Sequence, residues 1–267
     1  MHEMDATHDQ NKTPPQTRAG SALGEMVYSD SRAVLMQAAA SPELPEDLAL
    51  LMLARRDLPG AVIEALARNP LLMNSRHLKE AVVRHQHTPR HVALPMARHL
   101  YTFELMQIAL APAIPADIKV AVEQVIESRI GKLSAGERLT LARRASGKVA
   151  AALLFDPERR TIEAALDNPY LTETLVVKRL MMENGPQSLV EAICAHTKWS
   201  VRRDIRAALI RHPKTPLGRV LVYARSLPSY MLRDVLTHAR VDASVKIYLL
   251  QELHQREARM QEEEDGG

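Results

Sequence analysis

LPEDLALLMLARR (residues 44–56), TPRHVALPMARHL (88–100), SAGERLTLARRA (134–145), TETLVVKRLMM (172–182) and TPLGRVLVYARSL (215–227) are variants of one segment. Each carries an Ala-Arg or Lys-Arg step, at Ala54-Arg55, Ala97-Arg98, Ala142-Arg143, Lys178-Arg179 and Ala224-Arg225. A second segment follows each of them: VIEALA, LMQIAL, VAAALL, LVEAIC and MLRDVL, starting at Val62, Leu105, Val149, Leu189 and Met231. A third segment sets an apolar residue before a charged one, at Leu78-Lys79, Ile118-Lys119, Ile162-Glu163, Ile205-Arg206 and Val245-Lys246. Successive third segments lie 40, 44, 43 and 40 residues apart. A helical unit of that size cannot bury its apolar face alone and must stack on its neighbours. The expected architecture is an all-α, right-handed α-solenoid of about five three-helix units with an N-terminal capping helix. Sixteen helix centres follow from this register, from Leu35 to Leu250, with a kink or early break where Pro95 interrupts a helix.

Composition agrees with that reading. Apolar residues make up 46% of the 267-residue chain, enough for a continuous core. With only two Phe, one Trp and six Tyr, that core must be aliphatic. The single cysteine, Cys194, excludes an intrachain disulfide and falls in a register filled elsewhere by Ala67, Leu110, Leu154 and Leu236, so it reads as a buried thiol. The N-terminal MHEMDATHDQNKTPPQT has neither a basic nor an apolar signal region, and no run approaches 18 apolar residues, so the expected location is cytoplasmic with no membrane partner. Residues 1–28 are expected to be disordered or weakly ordered, 29–260 to form the repeat domain, and 261–267 to be a disordered acidic tail. The ends are acidic: residues 1–30 carry −3 and 251–267 carry −4, so with +3 overall the body from 31 to 250 carries +10.

Turns are marked by Pro42/Pro45, Pro112/Pro115 and Pro213/Pro216, and by Asn69-Pro70 and Asn168-Pro169. Thr88, Ser134 and Thr215 stand where helix N-caps are wanted. The turns NPLL, APAIP, DNPYLT and HPKTP, each near helices with Leu and Ala at helical spacing, resemble those of the HEAT/armadillo-like α-solenoid repeat superfamily, in particular bacterial leucine-rich-repeat-variant proteins. The resemblance covers about residues 29–260. It implies a binding scaffold and leaves activity open. The repeat-variant family is associated with a cysteine-ligated iron–sulfur cluster near the N-terminus. This chain has no Cys there, so no cofactor is carried over.

The candidate binding residues are the cations of the third segments and their neighbours: Arg76, Lys79, Lys119, Arg160, Arg203, Arg206 and Lys246, with Trp199 beside the densest basic stretch. The resemblance implies that the last helix of each unit lines the concave surface. Recurring cations there would make a positive groove for an acidic peptide or a nucleic-acid backbone. The alternative is a solvated face, which needs charges for their own sake, and Glu163 interrupts the series. The arginines of the first segments stand near helix C-termini and read as structural. His85, His87, His91 and His99 lack a carboxylate or Cys to complete a zinc site and read as a solvated turn. Trp199 either anchors a partner or packs between repeats.

No nucleotide-binding, nucleophile-elbow or metalloprotease motif is present, so the chain is expected not to be an enzyme. A HEAT-like fold also occurs in alkylpurine DNA glycosylases, which flank a lesion with several aromatics and an acid; here only Trp199 and Asp204 form such a pair. The expected function is a non-catalytic scaffold binding an acidic protein or peptide on its concave face. The alternative is duplex nucleic acid along the same groove. Scarce aromatics argue against single strands.

Overall fold

The computed structural model describes residues 16–182, 184–238 and 243–265, and among them it is all helical, without a strand. All sixteen helix centres expected from the register fall inside helices. The chain forms two compact units, Met1–Val122 and Glu123–Gly267.

The first unit holds α1 (Gln16–Val27), α2 (Arg32–Ala40), α3 (Glu46–Ala54), α4 (Gly60–Arg68), α5 (Arg76–Arg84), α6 (Arg90–Ala97) and α7 (Thr102–Leu110); the boundary falls inside α8 (Ala116–Arg129). The second unit continues with α9 (Ala135–Arg144), α10 (Gly147–Leu153), α11 (Arg159–Leu166), α12 (Glu173–Leu180), α13 (Gln187–Ala195), α14 (Arg203–Arg211), α15 (Leu217–Ser226), α16 (Ser229–His238) and α17 (Ala243–Asp265). Helix α1 lies inside the segment expected to be disordered or weakly ordered, and its Val27 is buried against the helices that follow. At the other end, α17 continues through 261–265 of the expected tail. Residues 1–15 and 266–267 lie outside the described residues.

Most of these helices are short because the sequence punctuates them. Pro45, Pro59, Pro89, Pro186 and Pro216 are N-caps, one position earlier than the first helical turn, where the missing N–H costs nothing. Helix α6 ends two residues after Pro95, the early break that a proline imposes. Ser134 is the expected N-cap of α9. Its Oγ accepts the Glu137 N–H at 3.4 Å while Glu137 Oε2 accepts the Ser134 N–H at 2.9 Å, a capping box. The same contact, a hydroxyl bond from Ser134 foremost, holds the Glu137 carboxyl below the usual carboxylate range. Thr88 and Thr215 are not caps, because Pro89 and Pro216 hold those positions. Their hydroxyls turn back and donate to Val82 O at 2.5 Å and Leu209 O at 2.6 Å, satisfying carbonyls that the preceding helix leaves open.

Within each unit a helix packs on its chain neighbours, as α5 does on α6 and α16 on α17, and on the helix two places along. In the first unit α1 packs on α3, α3 on α5 and α5 on α7, while α2 packs on α4. His91 of α6 reaches Glu64 of α4 at 3.5 Å, and Arg90 of α6 reaches Asp117 of α8 at 4.0 Å. In the second unit α9 packs on α11, α11 on α13 and α15 on α17; α10 packs on α12, α12 on α14 and α14 on α16. Within each unit, helices of odd number therefore form one row and those of even number another. The core between the rows is aliphatic, with Ile63, Leu66, Leu78, Leu105, Leu141, Val149, Ile162 and Ile205 fully buried. Trp199 joins it as the largest buried side chain.

Candidate functional site

The row arrangement decides what the recurring cations can do together. Arg76 and Lys79 lie on α5, an odd-row helix, whereas Lys119 lies on α8, in the even row. In the second unit Arg160 (α11) and Lys246 (α17) are on odd-row helices, and Arg203 and Arg206 (α14) on an even-row one. A register of three helices changes row at every step, so within a unit these cations do not form a stripe along one row. This corrects the single basic ladder. Individually they differ further. Arg206 is anchored: its Nε donates to Ser200 O at 2.7 Å and its guanidinium lies 5.7 Å from the Tyr223 ring centroid. Arg76 sits 4.1 Å over the Tyr101 ring, and its Nε is 3.2 Å from Glu104 Oε1 without the alignment of a hydrogen bond. Arg160, Arg203 and Lys246 are exposed, and Lys79 and Lys119 half-buried.

Trp199 is not an exposed anchor. It lies in the turn before α14, 2% exposed, and its Nε1 donates to Leu166 O at 2.8 Å. Held this way, the indole cannot stack on a base or flank a lesion, so Trp199 and Asp204 do not form the aromatic–acid pair a glycosylase would need. Cys194 is buried as expected, with the Tyr223 hydroxyl beside it. That hydroxyl has no well-formed hydrogen bond, and burial foremost, then the thiol, pushes its pKa up to about 12. Of the histidine cluster, His87, His91 and His99 are exposed, as a solvated turn requires, and His85 is the exception. His85 is buried and its Nε2 meets Arg55 O at 2.7 Å, and His87 Nδ1 meets Leu58 O at 3.1 Å. Among the described residues no group of three His, Cys, Asp or Glu is arranged to hold a metal ion. Nor is any described helix long and apolar enough to cross a membrane.

A recurring device that the sequence reading passed over is a polar residue at or just after the end of six of the helices. Asn69, His85, Asp156, Asn168, His196 and His212 each accept the backbone N–H two residues on, at 2.8–3.2 Å. The remaining polar atom of several reaches back to the end of the helix two places earlier. Asn69 Nδ2 donates to Ser41 O at 3.2 Å, and Asn168 Nδ2 donates to Ala142 O at 2.8 Å and Ala145 O at 3.0 Å. His196 Nε2 meets Asp167 Oδ1 at 3.1 Å. With Nδ1 facing an N–H, the other ring nitrogen of each His is left free to reach a second partner. Burial, and then the charge of Lys214, hold His212 below its ordinary pKa. Arginines make longer versions of the same clamp. Arg55 donates to Val27 O at 3.1 Å and Ser29 O at 2.8 Å, and Arg256 to Leu227 O at 2.6 Å and Ala224 O at 2.7 Å. The legible signal was Asn-Pro, Asp-Pro or His-Pro at Asn69, Asp156, Asn168 and His212.

Two grooves lie between neighbouring helices of one row. In the first unit a cavity of about 450 Å³ opens between α3 and α5, floored by Leu50, Leu53, Ala54 and Ala81 and rimmed by Arg55, Arg56 and Arg84. In the second unit a cavity of about 390 Å³ runs over α12, α14 and α16, floored by Val177, Met181, Ala208 and Met231. Its rim carries Glu173, Asp204 and Asp234, the last paired with Arg211. The two grooves thus present opposite charge. Comparison with protein-family models, curated proteins and solved structures found no match for this chain.

Proposed function

We propose that this chain is a cytoplasmic α-solenoid acting as a non-catalytic scaffold for an acidic protein or peptide. The observation that carries the reading is packing between helices one and two places apart along the chain, tied by side-chain bonds between residues 28–30 apart, such as Asn69 to Ser41 and His85 to Arg55. Contacts confined to neighbours are what distinguish a stacked array from a globule, and arrays of this kind present long binding surfaces. These separations favour a step of two helices over the three-helix step expected from the sequence. The charge of +10 on residues 31–250 supports an acidic partner.

Internal deletion separates the two step sizes. Removing residues 168–195, two helices, joins an odd-row helix to an even-row one and keeps the alternation; removing 163–205, one full three-helix register, fuses the start of α11 to the end of α14 and shifts every later helix into the other row. A two-helix step is expected to leave the first deletion helical and cooperatively unfolding and the second not. The opposite result returns the three-helix unit. The scaffold reading itself is tested by capture of partners from native extract with and without nuclease. A protein retained after nuclease treatment supports it, and capture abolished by nuclease overturns it in favour of nucleic acid.

A further inference from the structure

We infer that the groove between α3 and α5 is a docking site for an extended acidic peptide segment carrying an aliphatic anchor; this rests on the scaffold reading above. The floor supplied by Leu50, Leu53, Ala54 and Ala81 is apolar, and no carboxylate lines it. Its rim is cationic. Arg56 is exposed and has no ion-pair partner among the described residues, while Arg84 is exposed and shares its charge with Glu80 at 3.0 Å and its Nη2 with Gln107 at 2.8 Å. Arg55 contributes less, because it is neutralised by Asp57 at 2.8 Å and by Asp30 at 3.4 Å.

The rim also has its negative charge masked. A helix C-terminus presents open carbonyls that repel an anion. Here Arg55 O faces His85 Nε2 at 2.7 Å, and Arg56 O accepts from Gln86 Nε2 at 2.9 Å, so the carbonyls after α3 are occupied by the loop after α5. What remains facing the groove is an aliphatic trough of about 450 Å³ between two guanidinium groups. Guanidinium is the cation suited to bidentate carboxylate recognition. A nucleic acid fits less well, because no exposed aromatic in the lining offers a stacking platform and two arginines are a small counterion-release footprint.

The test uses the full chain and a set of short fluorescent Glu/Asp peptides with a single Leu moved along them, beside a matched Lys set and a duplex oligonucleotide. Wild type is expected to bind the acidic set and not the Lys set. Arg56→Glu with Arg84→Glu is expected to weaken binding at least about tenfold, as is Ala54→Trp, which fills the trough without changing charge. Circular dichroism and melting of the variants verify that the fold is retained. Equal binding of the acidic and Lys sets, or acidic binding that survives both variants, overturns the inference. So does oligonucleotide binding lost in the arginine variant while peptides fail to bind. If the peptide arm fails but a protein is still captured from nuclease-treated extract by both variants, the groove assignment falls and the scaffold reading stands. If capture is nuclease-sensitive, both fall.

Discussion

Asn168→Asp changes one side-chain atom and should unfasten the second unit. Asn168 is 1% exposed and its amide donates two hydrogen bonds, to Ala142 O at 2.8 Å and Ala145 O at 3.0 Å, while its oxygen accepts from Tyr170 N at 2.8 Å. The carboxylate keeps the accepted bond and turns both donated ones into contacts between oxygens. Loss of two net hydrogen bonds accounts for about 1–3 kcal/mol. The introduced carboxyl must also ionise out of contact with water, which raises its pKa; a rise of about 2–3 units above the unfolded value near 3.9 adds roughly 3–4 kcal/mol at neutral pH. The expected destabilisation at pH 7 is therefore about 4–7 kcal/mol. The sign of its pH dependence follows: a raised folded pKa means stability is retained below about pH 4 and lost as pH rises through the folded pKa, about 6–7. Urea denaturation of both proteins across pH 4.5–7.5 measures the difference. A variant within about 1 kcal/mol of wild type at pH 7, with a difference independent of pH, would refute the clamp as an energetic link.

Gly147→Ala and Gly136→Ala should move stability in opposite directions. A Cβ on Gly147 would stand 2.1 Å from Tyr170 O, so the α11–α12 loop must shift, whereas one on Gly136 meets nothing within 4 Å and gains helix propensity of up to about 1 kcal/mol; equal melting shifts would defeat the close-approach argument. Ile205→Ala and Leu66→Ala, both fully buried, should each cost about 2–5 kcal/mol in denaturant unfolding, and a loss under about 1 kcal/mol would place them at the surface. His212, held neutral by burial, contributes stability present above its unfolded pKa near 6.5 and lost as pH falls below it, so His212→Asn should flatten the acid limb between about pH 6.5 and 5. An unchanged acid limb in that variant would show that His212 does not titrate with unfolding.

Helix positions were legible because short helices bounded by proline leave a strong register; even the break after Pro95 was readable. Helix α1 was missed because GSALGEMV has only a thin apolar stripe, and Val27, the one residue buried among the described side chains at 22–27, sits at the very end. Trp199 was readable either as an anchor or as packed between repeats, and the packed reading holds. Its neighbours Lys198, Arg202 and Arg203 are charged and exposed, and nothing local distinguishes an indole on the surface from one turned under the chain to a carbonyl 33 positions away. The groove arginines were hidden in the same way. Arg56 and Arg84 follow the last apolar residue of their helices and look like ordinary C-terminal cations. Only the packing of α3 on α5 brings them to one trough.

The failure of the basic ladder has a geometric cause that the sequence contained. Helix-ending residues recur near Ser41, Arg55, Asn69 and His85, then near Asn168, His196 and His212, so the elementary step is one helix plus its turn, about a third of the 40–44 residue offsets. Any multiple of that step produces similarity, and three helices scored well because Leu-Lys, Ile-Lys and Ile-Arg pairs recur there. Packing obeys a stricter rule. Short turns reverse the chain at each helix, so two consecutive helices stand in different rows and only even multiples return to the same row. A three-helix offset preserves local sequence context while exchanging rows, which is why Ile162 and Ile205 are both fully buried yet Arg160 and Arg206 stand on helices of different rows. Buried positions survive that exchange, since both rows face one core. Surface positions do not, and a binding surface must be read from helices two apart, as Arg56 after α3 and Arg84 at the end of α5 are.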